Sequence, residues 1–243
     1  MPYTLANLIE DCCSGRGRVK ASKAKRKEVY NAVWVALNRW ILDQFSRGKT
    51  VHIPSFARIG WEVVDSYDRG QGGSGYRRQP LFLPTDGFLR TNGMPVKKQV
   101  NAPFLTTVDE INFIKLAIKF SEDLTKDQVF CGLRDVVQRL GRVVASGAKV
   151  ELNMSVGKYL SKERKQSFLF DKSVHDAVQR RVPLDEAIIR QFEEARVGKF
   201  GEGGHNRRGA GTVITRKTAP APDADDDPLA FGGFQDAYGS GYG

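Results

Sequence analysis

The residues able to do chemistry in this chain are scattered, and the charged ones are unevenly placed. His52, His175 and His205 stand far apart, and no serine sits in a GxSxG context. Asp and Glu residues fall beside Lys or Arg on helix-like stretches, the ordinary solvated pattern. His52 alternates with Val51 and Ile53, so it is expected to point outward into solvent. Cys12 and Cys13 are adjacent and Cys131 stands alone. With no CxxC pair, a metal site is not expected, and the odd thiol count fits a reducing compartment. Gly70 to Gly75 and Gly201 to Gly211 lack the strand-before, helix-after setting and the GK[ST] ending of a phosphate loop. No catalytic, cofactor-binding or metal residue emerges, and an enzyme is not expected.

What remains is charge. The formal net charge is +10 and the pI is near 9.6. A balance of that sign favours a polyanionic partner: nucleic acid, an anionic membrane or an acidic protein surface. The densest run is Arg16, Arg18, Lys20, Lys23, Lys25, Arg26 and Lys27, with only Glu28 close by in sequence to offset it. A second, smaller cluster is Lys162, Arg164 and Lys165. Both are candidate contacts to phosphate or to an acidic face, weighed against plain solvent exposure. Phe231, Phe234, Tyr238 and Tyr242 punctuate a glycine-rich end and could anchor it in grooves of a partner. Asp223 and Asp225 to Asp227 steer that end toward a basic or neutral neighbour.

Periodicity supplies the elements that must carry these residues. Thr4 to Cys13 reads as a short helix with Leu5, Leu8 and Ile9 on one face. After the basic turn, Ser22 can start a helix with its body from about Lys27 to Phe45. Val29, Val33, Ala36, Leu37, Trp40 and Ile41 form its buried stripe. Gly48 stops it, and GKTVHIPSFARIGW follows: a strand at Val51 and Ile53, a bend at Pro54 and Ser55, and a second strand from Trp61 to Val64. SYDRGQGGSGY, between Asp65 and Arg78, reads as a floppy loop because glycine weakens strands. A strand returns from Arg78 to Pro84, and Asp86 to Thr91 gives a last helical turn.

The order then repeats. Thr125 caps a helix to about Ala145 with Val129, Leu133, Val136, Val137, Leu140, Val143 and Val144 on its apolar face. GAKVELNMSVGKY follows, with Val150 and Leu152 standing 99 residues after Val51 and Ile53. Val156, Gly157 and Tyr159 take the places of Phe56, Ala57 and Ile59, after one extra residue. Such a period indicates a duplicated domain, too long for a solenoid repeat. The second hairpin runs through Val150 to Asn153, Gly157 to Leu160 and Ser167 to Phe170, with Lys162 to Gln166 at its tip. Ser173 to Arg181 and Pro183 to Arg196 read as further helices, with Pro183 at the first position of the latter. MPYTLANLIEDCC lacks a basic n-region, so no signal peptide is expected, nor does any run reach transmembrane length.

The helix-then-VxIPxFxxI order resembles the bacterial histone-like HU/IHF fold, whose first hairpin carries a VxLxGFGxF signature. Two copies, one with Ile53-Pro54-Ser55-Phe56 and a later Ile111-Asn112-Phe113, are similar to the coiled-coil domain-containing protein eighty-one family, which carries tandem HU-like domains. The likeness covers roughly Tyr3 to Asp171. Ser55 and Ala57 stand where the bacterial signature has glycines, which implies a less demanding backbone. The resemblance implies an α+β chain of two tandem HU/IHF-like domains, each a helical hairpin plus a small antiparallel sheet. Its division is 1–95, a linker at 96–104, 105–172, C-terminal helices at 173–197 and a Gly-rich tail at 198–243. It also implies an intrachain pseudo-dimer and a structural role at centrosomes or in the axoneme of cilia and flagella. Tubulin, microtubule doublets and other axonemal proteins would be its partners, with no cofactor and no membrane. An architectural DNA-binding protein and a component of a large ribonucleoprotein stay open as alternatives. HU proteins hold DNA with a long β-arm tipped by a proline wedge; here the first arm is read as short and proline-free, and the second as too short to wrap a duplex.

Overall fold

Both long helices start and stop where local chemistry dictates. In a computed structural model, which describes residues 2–15, 17–67, 74–96 and 102–201, α1 (Leu5–Ser14) is followed by α2 (Lys23–Ser46). The Ser22 side chain accepts from the Lys25 N–H at the start of α2. Gly48, at φ +71°, receives the chain after its end. β1 (Thr50–Ile53), β2 (Ala57–Tyr67), β3 (Ser74–Pro84) and α3 (Asp86–Thr91) complete the first copy.

The second copy opens with β4 (Val108–Glu110) and α4 (Phe113–Phe120). Its long helix is α5 (Lys126–Ala145). Thr125 and Gln128 cap α5 reciprocally, and Gly147 at φ +83° repeats the stop of Gly48. β5 (Val150–Met154), β6 (Gly157–Lys162), β7 (Lys165–Phe170) and α6 (Lys172–Arg181) follow, then α7 (Glu186–Gly201). The duplication is therefore real at the level of elements. In each copy the third strand hands over to a helix at the hairpin bend: Thr85 N donates to Phe56 O, and Asp171 N to Val156 O.

The two copies are built into each other. Among the described residues, those up to Phe192 form one compact unit. Within it, α1 packs on α5 while α4 packs on α2, and α2 crosses α5. The exchange extends to the sheets. β4 of the second copy pairs in parallel with β1 of the first, through Thr50↔Val108 and Val51↔Asp109. Tyr3 of the first copy bridges in parallel to Val150 of the second. α3 leans on the second copy, with Asn92 against Gly141 and Met94 Sδ accepting from Gln166 Nε2. α6 leans on the first, where the His175 ring stacks 5.7 Å from Trp61. Reciprocal contacts of this kind are those of an isologous two-fold interface, here closed within one chain. One continuous core spans both copies, from Leu8 and Trp61 to Leu140 and Tyr159.

The sheets run β3-β2-β1-β4 and β5-β6-β7, and they abut where the Phe82 and Phe168 rings stack at 5.4 Å. Several local readings change. The ladder of β2 and β3 continues to Tyr67↔Ser74, so both ends of the stretch expected to be a loop are paired, while its residues 68–73 lie outside the described residues. Backbone pairing holds these ends despite Gly75. Ser55 adopts φ +56°, so its bend demands the left-handed region although the residue is not glycine. The second hairpin tip is tighter than expected: Glu163 and Arg164, at φ +53° and +63°, form a two-residue turn between Lys162 and Lys165. His52 is buried, because β1 lies between β2 and β4 and every residue of the strand is covered. Ile111 and Asn112 precede α4, which starts at Phe113 with the Asn112 side chain as cap. Pro183 lies before α7, whose first turn is capped by the Asp185 carboxylate. Toward the end of the 96–104 stretch, Phe104 O already accepts from Val63 N, so the chain joins the first sheet there.

Candidate partner-binding surfaces

The basic run between α1 and α2 does not stand free. Arg18 donates twice to Asp135 on α5, from its backbone N at 2.7 Å to Oδ2 and from Nη1 at 2.8 Å to Oδ1. Nη1 also reaches Gln138. The Tyr30 hydroxyl donates to Asp135 Oδ2 at 2.8 Å, and burial, with this bond, pushes the phenol well above its ordinary pKa. Lys23 and Lys27 share the Glu10 carboxylate at 3.0 and 3.6 Å. That pairing, chiefly with Lys23, holds Glu10 below the usual carboxylate range. Glu10, from α1, therefore offsets the cluster, where sequence proximity pointed to Glu28 alone. Arg26 Nη1 donates to Gly15 O. Lys20 and Lys25 are exposed and make no ion pair among the described residues. Arg16 lies outside the described residues.

The second cluster is arranged in the same way. Arg164 Nε donates to Ala145 O at the C-terminal end of α5, where carbonyls left over by the helix favour a cation. Lys162 pairs with Glu163 at 3.6 Å, and Lys165 is exposed. Asp135 and Ala145 both lie on α5, ten positions apart, which at 1.5 Å rise per residue is about 15 Å along the axis. One helix thus carries contacts to both clusters. Phe231, Phe234, Tyr238, Tyr242 and His205 lie outside the described residues.

Two polar networks escape a reading of the sequence. Tyr3 donates to Asp11 Oδ2 at 2.6 Å and Arg139 Nη2 to the same oxygen at 2.8 Å, fastening the N-terminal bridge to α5. The Tyr3 bond is the main cause that lowers the Asp11 pKa, aided by Arg139. Arg78, on the inner face of the arm, is 4 % exposed and donates to the carbonyls of Val182 and Pro183. Gln179 donates to Arg78 O, and Phe192 packs edge-on to Tyr76 and Phe104. The α6–α7 junction is therefore fixed against the arm of the first copy. Tyr3 and Asp11 are only eight positions apart, but Arg139 lies 128 positions from Asp11 and Val182 104 from Arg78, so nothing local in the sequence signals those pairings.

Burial pushes the Cys12 thiol up to about 12, and Cys131 is also raised. Among the described residues no group of three or more His, Cys, Asp or Glu could hold a metal ion, and no helix is long and apolar enough to cross a membrane. What the arrangement can do is present a basic, two-sheet body with one long β2–β3 ladder.

The comparisons with known proteins agree with this architecture. Residues 13–94 match the family model described as CCDC81 eukaryotic HU domain 1, and residues 107–181 the one described as CCDC81 eukaryotic HU domain 2. No curated protein matches the chain. HU-like domains of this kind are not enzymatic folds. With both domain models matched in tandem on a chain whose two α+β copies pair reciprocally, this protein belongs to the CCDC81 family of tandem eukaryotic HU-like proteins.

Proposed function

We propose that this protein is a non-enzymatic structural component of the axoneme of cilia and flagella or of the centrosome. In this reading it binds microtubules and neighbouring proteins through its paired HU-like domains, without a cofactor and outside any membrane. The Gly-rich segment from 198 follows adjacent subunits of the assembly.

One observation carries the choice of protein over DNA: the two copies have unequal arms, and the long one is backed by the α6–α7 junction. β2 and β3 pair over the whole span Ala57↔Pro84 to Tyr67↔Ser74, while β6 and β7 end at Lys162↔Lys165. A clamp that encloses a duplex needs an arm from each side and apolar wedges that open base steps. Here one arm ends early, and the other is held by Arg78 and Phe192. Within the basic run Arg18, Lys23 and Lys27 face partners within the chain, as does Arg164 in the second cluster. Net charge then acts as long-range attraction to an acidic lattice.

The test is co-sedimentation with stabilised microtubules beside duplex-DNA binding at ~150 mM salt. Pelleting with microtubules and weak DNA binding is the expected result. Nanomolar DNA binding with a steep salt slope, and no pelleting, would establish the architectural DNA-binding alternative instead.

A further inference from the structure

The short helices α1 and α4 open the two copies in the same way, but their outward faces differ. Each packs against both long helices, α2 and α5. Counted from their N-caps, Thr4 and Asn112, they bury matching positions: Leu8, Ile9 and Cys12 in α1, and Leu116, Ala117 and Phe120 in α4. The outward positions match as well. α1 fills them with Ala6, Asn7, Glu10 and Asp11, and α4 with Ile114, Lys115, Ile118 and Lys119.

The first copy shows what the fold needs there: small or polar groups whose charges are used within the chain. Glu10 pairs with Lys23 and Lys27, and Asp11 with Arg139. In the second copy, Ile114 and Ile118 are 51 % and 78 % exposed. Neither Lys115 nor Lys119 makes an ion pair among the described residues. The Lys119 ammonium lies 5.3 Å from the Phe120 ring, a contact that leaves its charge without a counter-ion. Carboxylates flank the helix at both ends, and three of the four are engaged elsewhere: Asp109 with Lys49, Glu110 beside the His52 ring and Glu122 with Arg39. Asp123 is exposed beyond the helix end.

Because all four outward side chains sit on one helix, they share one surface. Residues four apart stand one above the other, about 6 Å apart along the axis. Ile114 and Ile118 therefore form one ridge, and Lys115 and Lys119 the ridge beside it. A second helix receives such ridges in its own grooves. The isoleucine ridge needs apolar cover, and the lysine ridge needs carboxylates at the same spacing. Duplex DNA offers the isoleucines nothing, since its backbone is held by cations, hydroxyls and N–H groups. An anionic bilayer is disfavoured by the carboxylates at both ends of α4 and by the small apolar face that two isoleucines provide. A second copy of this face brings no carboxylate to the lysines.

We propose that the outward face of α4 docks an amphipathic helix of a partner protein, one that carries apolar residues four apart beside Asp or Glu residues four apart. This rests on the protein-binding reading above but does not require the partner to be tubulin.

The experiment uses the full chain and three alanine-based helical peptides at ~150 mM salt, read by fluorescence anisotropy. One peptide carries leucines four apart with glutamates beside them. The second has lysine for each glutamate, and the third has serine for each leucine. The first should bind about tenfold tighter than either of the others. Ile114→Ala with Ile118→Glu, which copies the outward residues of α1, should weaken that binding about tenfold while the urea midpoint stays in place. Lys115→Glu with Lys119→Glu should transfer the preference to the lysine peptide. Equal binding of the three peptides overturns the proposal, as does a preference that survives both double substitutions. Phosphatidylserine vesicles that bind the unaltered chain and are released by Ile114→Ala with Ile118→Glu would make the face a membrane surface instead. A dimer in sedimentation equilibrium that the same substitution splits would make it a contact between copies. Microtubule sedimentation of the unaltered chain is scored separately. Its failure with the peptide preference intact removes the axonemal reading and leaves this face standing.

Discussion

The hydroxyl of Tyr30, on the long helix of the first copy, donates a 2.8 Å hydrogen bond to the carboxylate of Asp135, on the long helix of the second. The carboxylate is 8 % exposed and also accepts two bonds from Arg18, so all of its polar partners in this knot come from the other copy. An acid buried in this way is tolerable only while its partners stay in place.

Removing either end tests the knot. Asp135→Ala leaves the Tyr30 hydroxyl without its acceptor and the Arg18 guanidinium with Gln138 alone, and should cost about 3–5 kcal/mol. Tyr30→Phe, which removes one bond to a charged group, should cost about 1.5–3 kcal/mol. Urea unfolding of the two variants checks both values. If the Asp135 variant is as stable as the parent, the knot does not hold the copies together.

Glu62 and Asp11 should respond to pH with opposite signs. Burial alone raises the Glu62 carboxyl, so its folded-state pKa lies above the unfolded one. Its contribution is fully present below the unfolded value, about 4.3, and is lost as pH rises through the folded value. Glu62→Gln should therefore raise the melting temperature at neutral pH and make no difference near pH ~3. A variant that is less stable at neutral pH would show that the carboxylate is stabilised where it stands.

The Asp11 carboxyl is lowered, first by the Tyr3 hydroxyl and then by Arg139. Its contribution is present above the unfolded value and is lost as pH falls through the folded one. Asp11→Asn should lower the melting temperature at neutral pH by about 2–4 °C, an effect limited by the partial exposure of the group. The gap should close toward pH ~2. A pH-independent difference would point to packing rather than charge.

Gly157 opens β6 at φ +150°, and a methyl group there would stand 2.1 Å from the Leu169 carbonyl oxygen. Gly157→Ala should cost about 2 kcal/mol or more. Gly15→Ala, whose new methyl would meet only Asp11 O at 3.6 Å, should be close to neutral. Equal effects of the two changes would contradict the tight hairpin start. A thermal-melt comparison is sufficient.

The thiols offer a check on burial. Cys12 and Cys13 are buried, and desolvation lifts all three cysteines above their ordinary range. An aromatic disulfide reagent at neutral pH should label the native protein slowly, with Cys131 first, and all three sites at once in denaturant. Fast labelling of Cys12 in the native state would mean that α1 lifts from α5.

How much of this was legible depended on how local its cause is. The stripes of the long helices, the Thr125 cap and the glycine stop at Gly48 are set within a turn or two of chain, and they read correctly. β4 was invisible as a strand because its three residues pair only with β1, far back in the sequence. His52 was assigned to solvent by alternation, which presumes one open face; pairing on both edges and cover on both faces removed that condition. The arm reaches further than expected, to Tyr67 and Ser74, and of the glycines in that stretch only Gly75 stands in the ladder. In the candidate site, charge density located the basic run, but the run's neutralisation by Glu10 and Asp135 comes from tertiary packing.

The claim on which the rest depends is that the two HU-like copies are one cooperative body within a single chain. Trp34, Trp40 and Trp61 are the chain's three tryptophans, and all lie in the first copy, so fluorescence follows that copy while far-UV circular dichroism follows both. In a urea titration at several protein concentrations, the two signals should trace one transition with one midpoint that does not move with concentration. A second transition seen by circular dichroism alone, or a midpoint that shifts with concentration, would show that the copies fold separately or find their partners in other molecules.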